Sequence, residues 1–311
     1  MKKSVICLFG IFIILIIVPF LVTLIFTDRK GENHINISPK DGTFAEESEI
    51  PKGSAFENYI TGVVAAEMPA LYDEEALKAQ AVAARTYALN YITRTGDNDY
   101  MNIGQAYISV DEMKSRWGEG FDAYYTKVSK AVSDTSGEVM VYDGEPIVAV
   151  FHALSAGKTE NSEDVWTQEL PYLKSVDSSF DEQAKGFITR MEFKDDDFIT
   201  RLKAYYPDIS FEPGDIIDQI KVEEYTDAGY VKTVAVGDKV IEGTELRRIL
   251  ELKSANFTVY GEQDKIVFET KGYGHGAGMS QTGANYLAEN GYGYREILEH
   301  YYNGVSIEKR E

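Results

Sequence analysis

The chain has 311 residues, 44% of them hydrophobic and 26% charged, with a formal net charge of −20. That length fills one large core or two modest ones, and no basic stripe gives a nucleic acid the footprint it needs. The sole cysteine, Cys7, rules out internal disulfides and thiolate metal sites.

From Val5 to Phe26 almost every residue is apolar and none is charged. At 1.5 Å per residue such a run crosses a hydrocarbon core of ~30 Å. The run ends in Leu24-Ile25-Phe26-Thr27, with no small-residue cleavage pattern. Residues 1–27 therefore read as an uncleaved transmembrane anchor. Lys2 and Lys3 before the span are balanced by Arg29 and Lys30 after it, so charge alone sets no orientation. A short tail inside and a large domain outside is the simpler arrangement. Residues 28–54 are polar and aperiodic, with Gly31, Pro39, Gly42, Pro51 and Gly53, and read as a linker.

The folded part is expected over 55–307. Phe56, Tyr59, Ile60, Val63 and Val64 recur at helical spacing, and Pro69 biases Met68 out of the helical region. Asp73 is the expected N-cap of a second helix reaching Thr93, whose interior ALKAQAVAARTYAL is built from small side chains. A third helix is expected over 121–135. A hairpin, EVMVYDGEPIVAVFHA, should turn at Asp143-Gly144 and feed the polar loop SAGKTENSEDVW. A helix is expected over 192–205, then a β-rich subdomain over approximately 210–270. It comprises a hairpin around Asp227-Ala228-Gly229, a helix over 245–252 and a second hairpin, FTVYGEQDKIVFET. The Gly-rich loop GYGHGAG and helices over 280–290 and 294–302 close the chain. Helices and hairpins alternate without a βαβ rhythm, which gives an α+β fold: a helical catalytic core with interspersed β-hairpins behind one N-terminal membrane helix.

Glu67 is the sharpest chemical signal. It shares the apolar face of its helix with Ile60, Val63 and Val64 and stands in the last turn. Desolvation and the helix dipole both raise the pKa of a carboxyl there, which suits a general acid for glycosidic cleavage. The plainer reading is an exposed helix-terminal glutamate. Arg85, among small residues, is either a planar fork for a sugar or carboxylate oxygen or a surface arginine paired with Glu75.

His152 and the loop residues Ser155, Lys158, Thr159, Glu160 and Asn161 form a dense polar cluster after a strand. Ser155 near His152 makes a nucleophile pair conceivable, but no G-x-S-x-G elbow accompanies it. Gly272-x-Gly274-x-x-Ala277 lacks the βαβ unit of a nucleotide fingerprint. The four histidines include no close pair of the H-E-x-x-H kind, and a site from His152, His275 and a carboxylate is the metal alternative. Ser280 is a candidate cap for the helix after the Gly-rich loop.

Taken in order, ENYITGVVAAEMPALYDEEALKAQAVAARTYAL, FHALSAGKTENSEDVW and GYGHGAGMSQTGANYLAENG resemble the stage II sporulation protein D family over residues 55–307. The resemblance implies a lytic transglycosylase that cuts between N-acetylmuramic acid and N-acetylglucosamine, leaving a 1,6-anhydro sugar. It implies glycan strands stripped of stem peptides as substrate. It also implies engulfment during sporulation, at the mother-cell membrane facing the septal wall, with stage II sporulation proteins P (an amidase) and M as partners. The family's catalytic glutamate falls on Glu67 and its helix arginine on Arg85. Substrate is expected along a cleft between Glu67 and the Gly-rich loop, with contacts from Arg85, His152, Ser155, Lys158, Thr159, Asn161, His275, Ser280 and Gln281. Relatives that look able to hold zinc have cysteines near the F-H segment. Here Ala153 to Ala156 follow His152, so neither metal nor cofactor is expected, and hydrogen bonds from Ser155, Thr159 and Asn161 should hold the loop instead. The other class of reading is a non-catalytic wall-binding or amidase-enhancing module, since related domains enhance amidases.

Overall fold

The computed structural model describes residues 54–310 apart from Thr167. The expected anchor over 1–27 and the linker up to residue 53 lie outside the described residues. No described helix is long and apolar enough to cross a membrane.

Helix α1 spans Ser54–Glu67 and buries Phe56, Tyr59, Ile60, Val63 and Val64. Met68 N–H still reaches Val64 O at 3.0 Å, and Pro69 ends the run. Helix α2 spans Glu74–Thr95. Asp73 caps it by accepting the Glu75 N–H at 2.9 Å, and Gly96 closes it in the left-handed region at φ 70°. Two helices follow, α3 (Val110–Trp117) and α4 (Phe121–Asp134). Periodicity had not pointed to α3; its signature is the capping box between Ser109 and Glu112.

Strands β1 (Glu138–Tyr142) and β2 (Glu145–Pro146) turn at Asp143 and Gly144, with φ 50° and 82°. The second arm of the expected hairpin stops at Pro146, which has no N–H for the ladder. Beyond it, 147–150 run buried to the short strand β3, Phe151–His152. Helix α5 covers Ser162–Trp166. Over 188–205 the structure corrects the helix boundary: Ile188–Phe193 is strand β4, and helix α6 runs only over Asp195–Tyr205. Three aspartates at 195–197 favour starting the helix there, where the dipole attracts negative charge.

Strands β5 (Ile220–Tyr225), β6 (Val231–Val236) and β7 (Lys239–Glu242) form an antiparallel sheet that leads into helix α7, Gly243–Leu250. Strands β8 (Phe257–Glu262) and β9 (Lys265–Lys271) join β4 in a second sheet, ordered β4-β9-β8. These elements share one apolar core running from Phe193 to Phe268 in sequence. After β10 (Met279–Ser280) come α8 (Gln281–Glu289), α9 (Tyr294–Tyr301) and β11 (Ser306–Lys309). β11 returns to pair antiparallel with β1, Glu138 opposite Lys309 and Val141 opposite Ser306.

Helix α2 is the axis of the helical part. Between Ala76 and Ile92 it is buried on almost every side, against α1, α4, β1, α8 and α9. Its alanines let four helices and a strand approach closely, and a helix enclosed all round needs no polar face. The mixture of helices and antiparallel sheets is α+β.

Candidate active site

Helix α1 carries Glu67 to its last position, where the side chain is half-buried. Burial raises its pKa, opposed by two hydrogen bonds, from the Gln281 side chain and from the Ala106 backbone N–H. The net displacement is upward, so the group holds its proton better than a solvated glutamate. Gln281 is itself only 5% exposed, and its Nε2 also donates to Oε1 of Gln80, 3.3 Å away on α2. The first residue of α8 therefore holds the last residue of α1.

Gln281 is delivered there by the Gly-rich loop. Gly272, Gly274, Gly276 and Gly278 all have positive φ, at 78°, 120°, 88° and 69°. Only glycine takes such an alternation freely. The space is missing as well: a Cβ on Gly278 would sit 2.0 Å from Val150 O, and one on Gly274 2.7 Å from His152 Cβ. The loop lies against 150–160 through backbone bonds between Tyr273 and Leu154 (2.7 and 3.0 Å) and from Glu160 N to Gly276 O (2.9 Å). β10 and β3 then pair in parallel, Ser280 beside His152. Ser280 caps α8, accepting the Gly283 N–H at 3.1 Å.

The two loop histidines meet at this seam, their rings 5.7 Å apart, with Trp166 edge-on to His275 at 4.9 Å. His152 Nδ1 lies 3.0 Å from Ala277 O, so that nitrogen carries the proton. His275 Nδ1 accepts the Ala277 N–H at 3.1 Å, so its proton is on Nε2, facing the Phe151 carbonyl. Burial pushes His152 down to about 4 and His275 down to about 3, and both are neutral at neutral pH. The pair clasps two loops. Among the described residues no group of three His, Cys, Asp or Glu side chains is placed to hold a metal ion.

This arrangement has relatives. The profile described as SpoIID, stage II sporulation protein, matches residues 47–142. The chain is 32% identical to the stage II sporulation protein D of Bacillus amyloliquefaciens, over 100% of this chain and 97% of that protein. It is 33% identical to the protein of that name from Bacillus subtilis, over 91% and 83% respectively. The chain belongs to the stage II sporulation protein D family. It is also 30% identical to the amidase enhancer of Bacillus subtilis, over 80% of this chain and 40% of the enhancer. In this stage II sporulation protein D relative, the profile match takes in Glu67 and Arg85, and the two curated proteins extend over the Gly-rich loop.

Several residues expected to touch substrate have their polar groups engaged within the protein. Arg85 is 1% exposed. Its fork is filled by Glu57, with Nε to Oε1 at 2.9 Å and Nη2 to Oε2 at 2.7 Å. Its remaining donors reach the carbonyls of Glu138 and Val132 at 3.1 and 3.2 Å. Thr159 and Asn161 brace the loop: Thr159 Oγ1 accepts from Val176 N and Asn161 Oδ1 from Ser175 N, each at 2.9 Å. Ser155 is fully buried, and its backbone N–H, not its hydroxyl, is given to Asp181 Oδ2 at 3.0 Å. Lys158 is exposed, and His275 is half-buried.

Three partners went unnoticed in the sequence, Gln80, Ala106 and Asp181, and Glu160 was read only as one of the polar loop residues. Gln80 carried a readable signal, the single amide in the alanine-rich stretch ALKAQAVAARTYAL. Glu160 is 2% exposed, accepts the Thr226 hydroxyl at 2.7 Å, and is pushed by burial up to about 7. Asp181 is 1% exposed and pushed up to about 6, again chiefly by burial. Nothing local marked Ala106, because its contribution is a backbone N–H.

Proposed function

We propose that the protein is a lytic transglycosylase of peptidoglycan, with Glu67 as its one acid and base. The supporting observation is that the half-buried Glu67 carboxyl, raised in pKa, is held by an amide and a backbone N–H and, among the described residues, by no second carboxylate. Protonated Glu67 gives its proton to the glycosidic oxygen as the C1–O bond of the muramic acid breaks. The carboxylate left behind takes the proton of that sugar's C6 hydroxyl as the hydroxyl oxygen bonds to C1. The two transfers balance, no water is consumed, and the product is a 1,6-anhydro end. A hydrolase would need a second group to activate water. The two hydrogen bonds favour the ionised form and so assist the first transfer.

The biological setting belongs to the same proposal. The protein acts on glycan strands freed of stem peptides, during engulfment in sporulation, held to the membrane by its N-terminal apolar run with the domain outside. Stage II sporulation proteins P and M are its proposed partners. The decisive experiment is product analysis by mass spectrometry after incubating the full-length protein with stripped glycan. Fragments lighter than the hydrolytic product by one water, absent with Glu67→Gln, are the expected result. The similarity to a protein named amidase enhancer favours a second reading, a non-catalytic glycan-binding module. Under it Glu67→Gln would bind glycan as the wild type does, and neither would cut it.

A further inference from the structure

Glycine inside an exposed helix costs about 1 kcal/mol relative to alanine, yet Gly62 sits in the middle of α1, five residues before Glu67. A Cβ there would lie 2.2 and 2.5 Å from Cε2 and Cδ2 of Tyr107 and 2.8 Å from Ile108 O. The missing side chain makes room for one segment, 104–108, which crosses α1 between Asn102 and α3. That segment is tied down on both sides of Ala106. Before it, Gln105 Oε1 accepts the Tyr59 hydroxyl at 3.1 Å, and Gln105 Nε2 donates to Ala84 O on α2 at 3.2 Å. After it, the Tyr107 ring stacks on Tyr59 at 5.7 Å and 13°, and Ile108 N donates to Gly62 O at 3.2 Å. Ile108 is 2% exposed, whereas Ala106 between these ties is exposed and turns its N–H to the Glu67 carboxyl.

We propose that 104–108 is a strap that fixes the Glu67 carboxyl through the Ala106 N–H, and that Gly62 and Tyr107 are its positioning residues. The inference rests on Glu67 being the acid and base. A carboxyl that must first give and then take a proton needs one oxygen aimed at the sugar. A donor fixed on the other oxygen selects which one reacts and keeps the side chain from swinging toward water. Rigidity is the point: the donor is backbone, and it is anchored to the same helix that carries Glu67.

The test uses the full-length protein with Gly62→Ala, Tyr107→Leu and Tyr107→Phe. The Glu67 carboxyl is followed by carbon-13 NMR titration, its signal assigned by its absence in Glu67→Gln. Loss of the strap donor moves the Glu67 midpoint up in Gly62→Ala and Tyr107→Leu, while Tyr107→Phe keeps the ring and restores the wild-type titration. In the same two variants the alkaline limb of the cleavage profile moves up, and kcat falls roughly tenfold with KM little changed. Folded Tyr107→Leu with an unmoved Glu67 titration and an unmoved profile overturns the strap, and it does so even where Gly62→Ala does not fold. A wild type that makes no anhydro product, with the titration shifts intact, overturns the transglycosylase reading and leaves the strap standing.

Discussion

Arg85 and Glu57 form a forked ion pair between α2 and α1, with two parallel contacts of 2.9 and 2.7 Å. The arginine side chain is 2% exposed and the glutamate's 25%. The pair ties the helix that ends in Glu67 to the central helix, and the remaining guanidinium donors cap the carbonyls of Val132 and Glu138. Arg85→Ala strands both the carboxylate and those carbonyls. Breaking such a pair by removing one partner costs about 3–5 kcal/mol. Chemical denaturation should show that loss, and cleavage by the fraction still folded should stay near the wild-type level. A specific activity that collapses at unchanged stability would instead put the guanidinium in contact with substrate.

Gln281→Leu removes the side-chain donor from the Glu67 carboxyl while keeping the volume. With that donor gone the carboxyl holds its proton to higher pH. The alkaline limb of the activity profile should therefore move up and kcat fall, by about tenfold or more by analogy with losing one positioned donor. Profiles of kcat against pH for the variant and wild type check it.

Glu160 makes stability fall as pH rises. Its ordinary value is 4.5, and burial pushes it to about 7. The folded state thus binds the proton more tightly than the unfolded chain. The benefit is full below pH 4.5 and is lost as pH climbs through about 7. Glu160→Gln should match the wild type in thermal midpoint near the acid end and exceed it above neutrality. The advantage there is on the order of 3 kcal/mol for a shift of this size. His152 acts in the opposite sense, its value lowered from 6.5 to about 4, so its contribution is lost as pH falls through that range. The difference between the two proteins across pH isolates Glu160.

Gly278→Ala asks for a side chain 2.0 Å from Val150 O at a φ of 69°. Backbone strain of this kind costs roughly 1–3 kcal/mol before the clash is counted. The loop should yield by moving Met279 to Gln281, so a crystal structure or amide exchange of the variant should show β10 leaving β3. Cleavage should fall with it, because Gln281 is carried on that segment.

The elements with strong local chemistry could be read from the chain alone. Pro69, the Asp73 cap and the Asp143-Gly144 turn fixed three boundaries through backbone sterics, and Glu67 stood out by sharing an apolar face. What escaped depends on tertiary partners. Glu192 and Phe193 read as the start of the helix over 192–205 until β9 lies next to them. Arg85 looked like a ligand for a sugar because a polar residue among small ones signals either function or a buried bond, and only Glu57 decides between them. Ala106 has no side chain that could advertise its N–H.

The hydrogen bond between Glu67 and Gln281 joins residues near opposite ends of the domain, and β11 beyond Gln281 inserts beside β1. A growing chain releases Glu67 first, and the amide that steadies it emerges only 214 residues later. Contacts this distant in sequence also form late in folding. A centre assembled in this order is incomplete on any copy cut short before Gln281, so the proposed cleavage is expected only from chains made past that residue and folded.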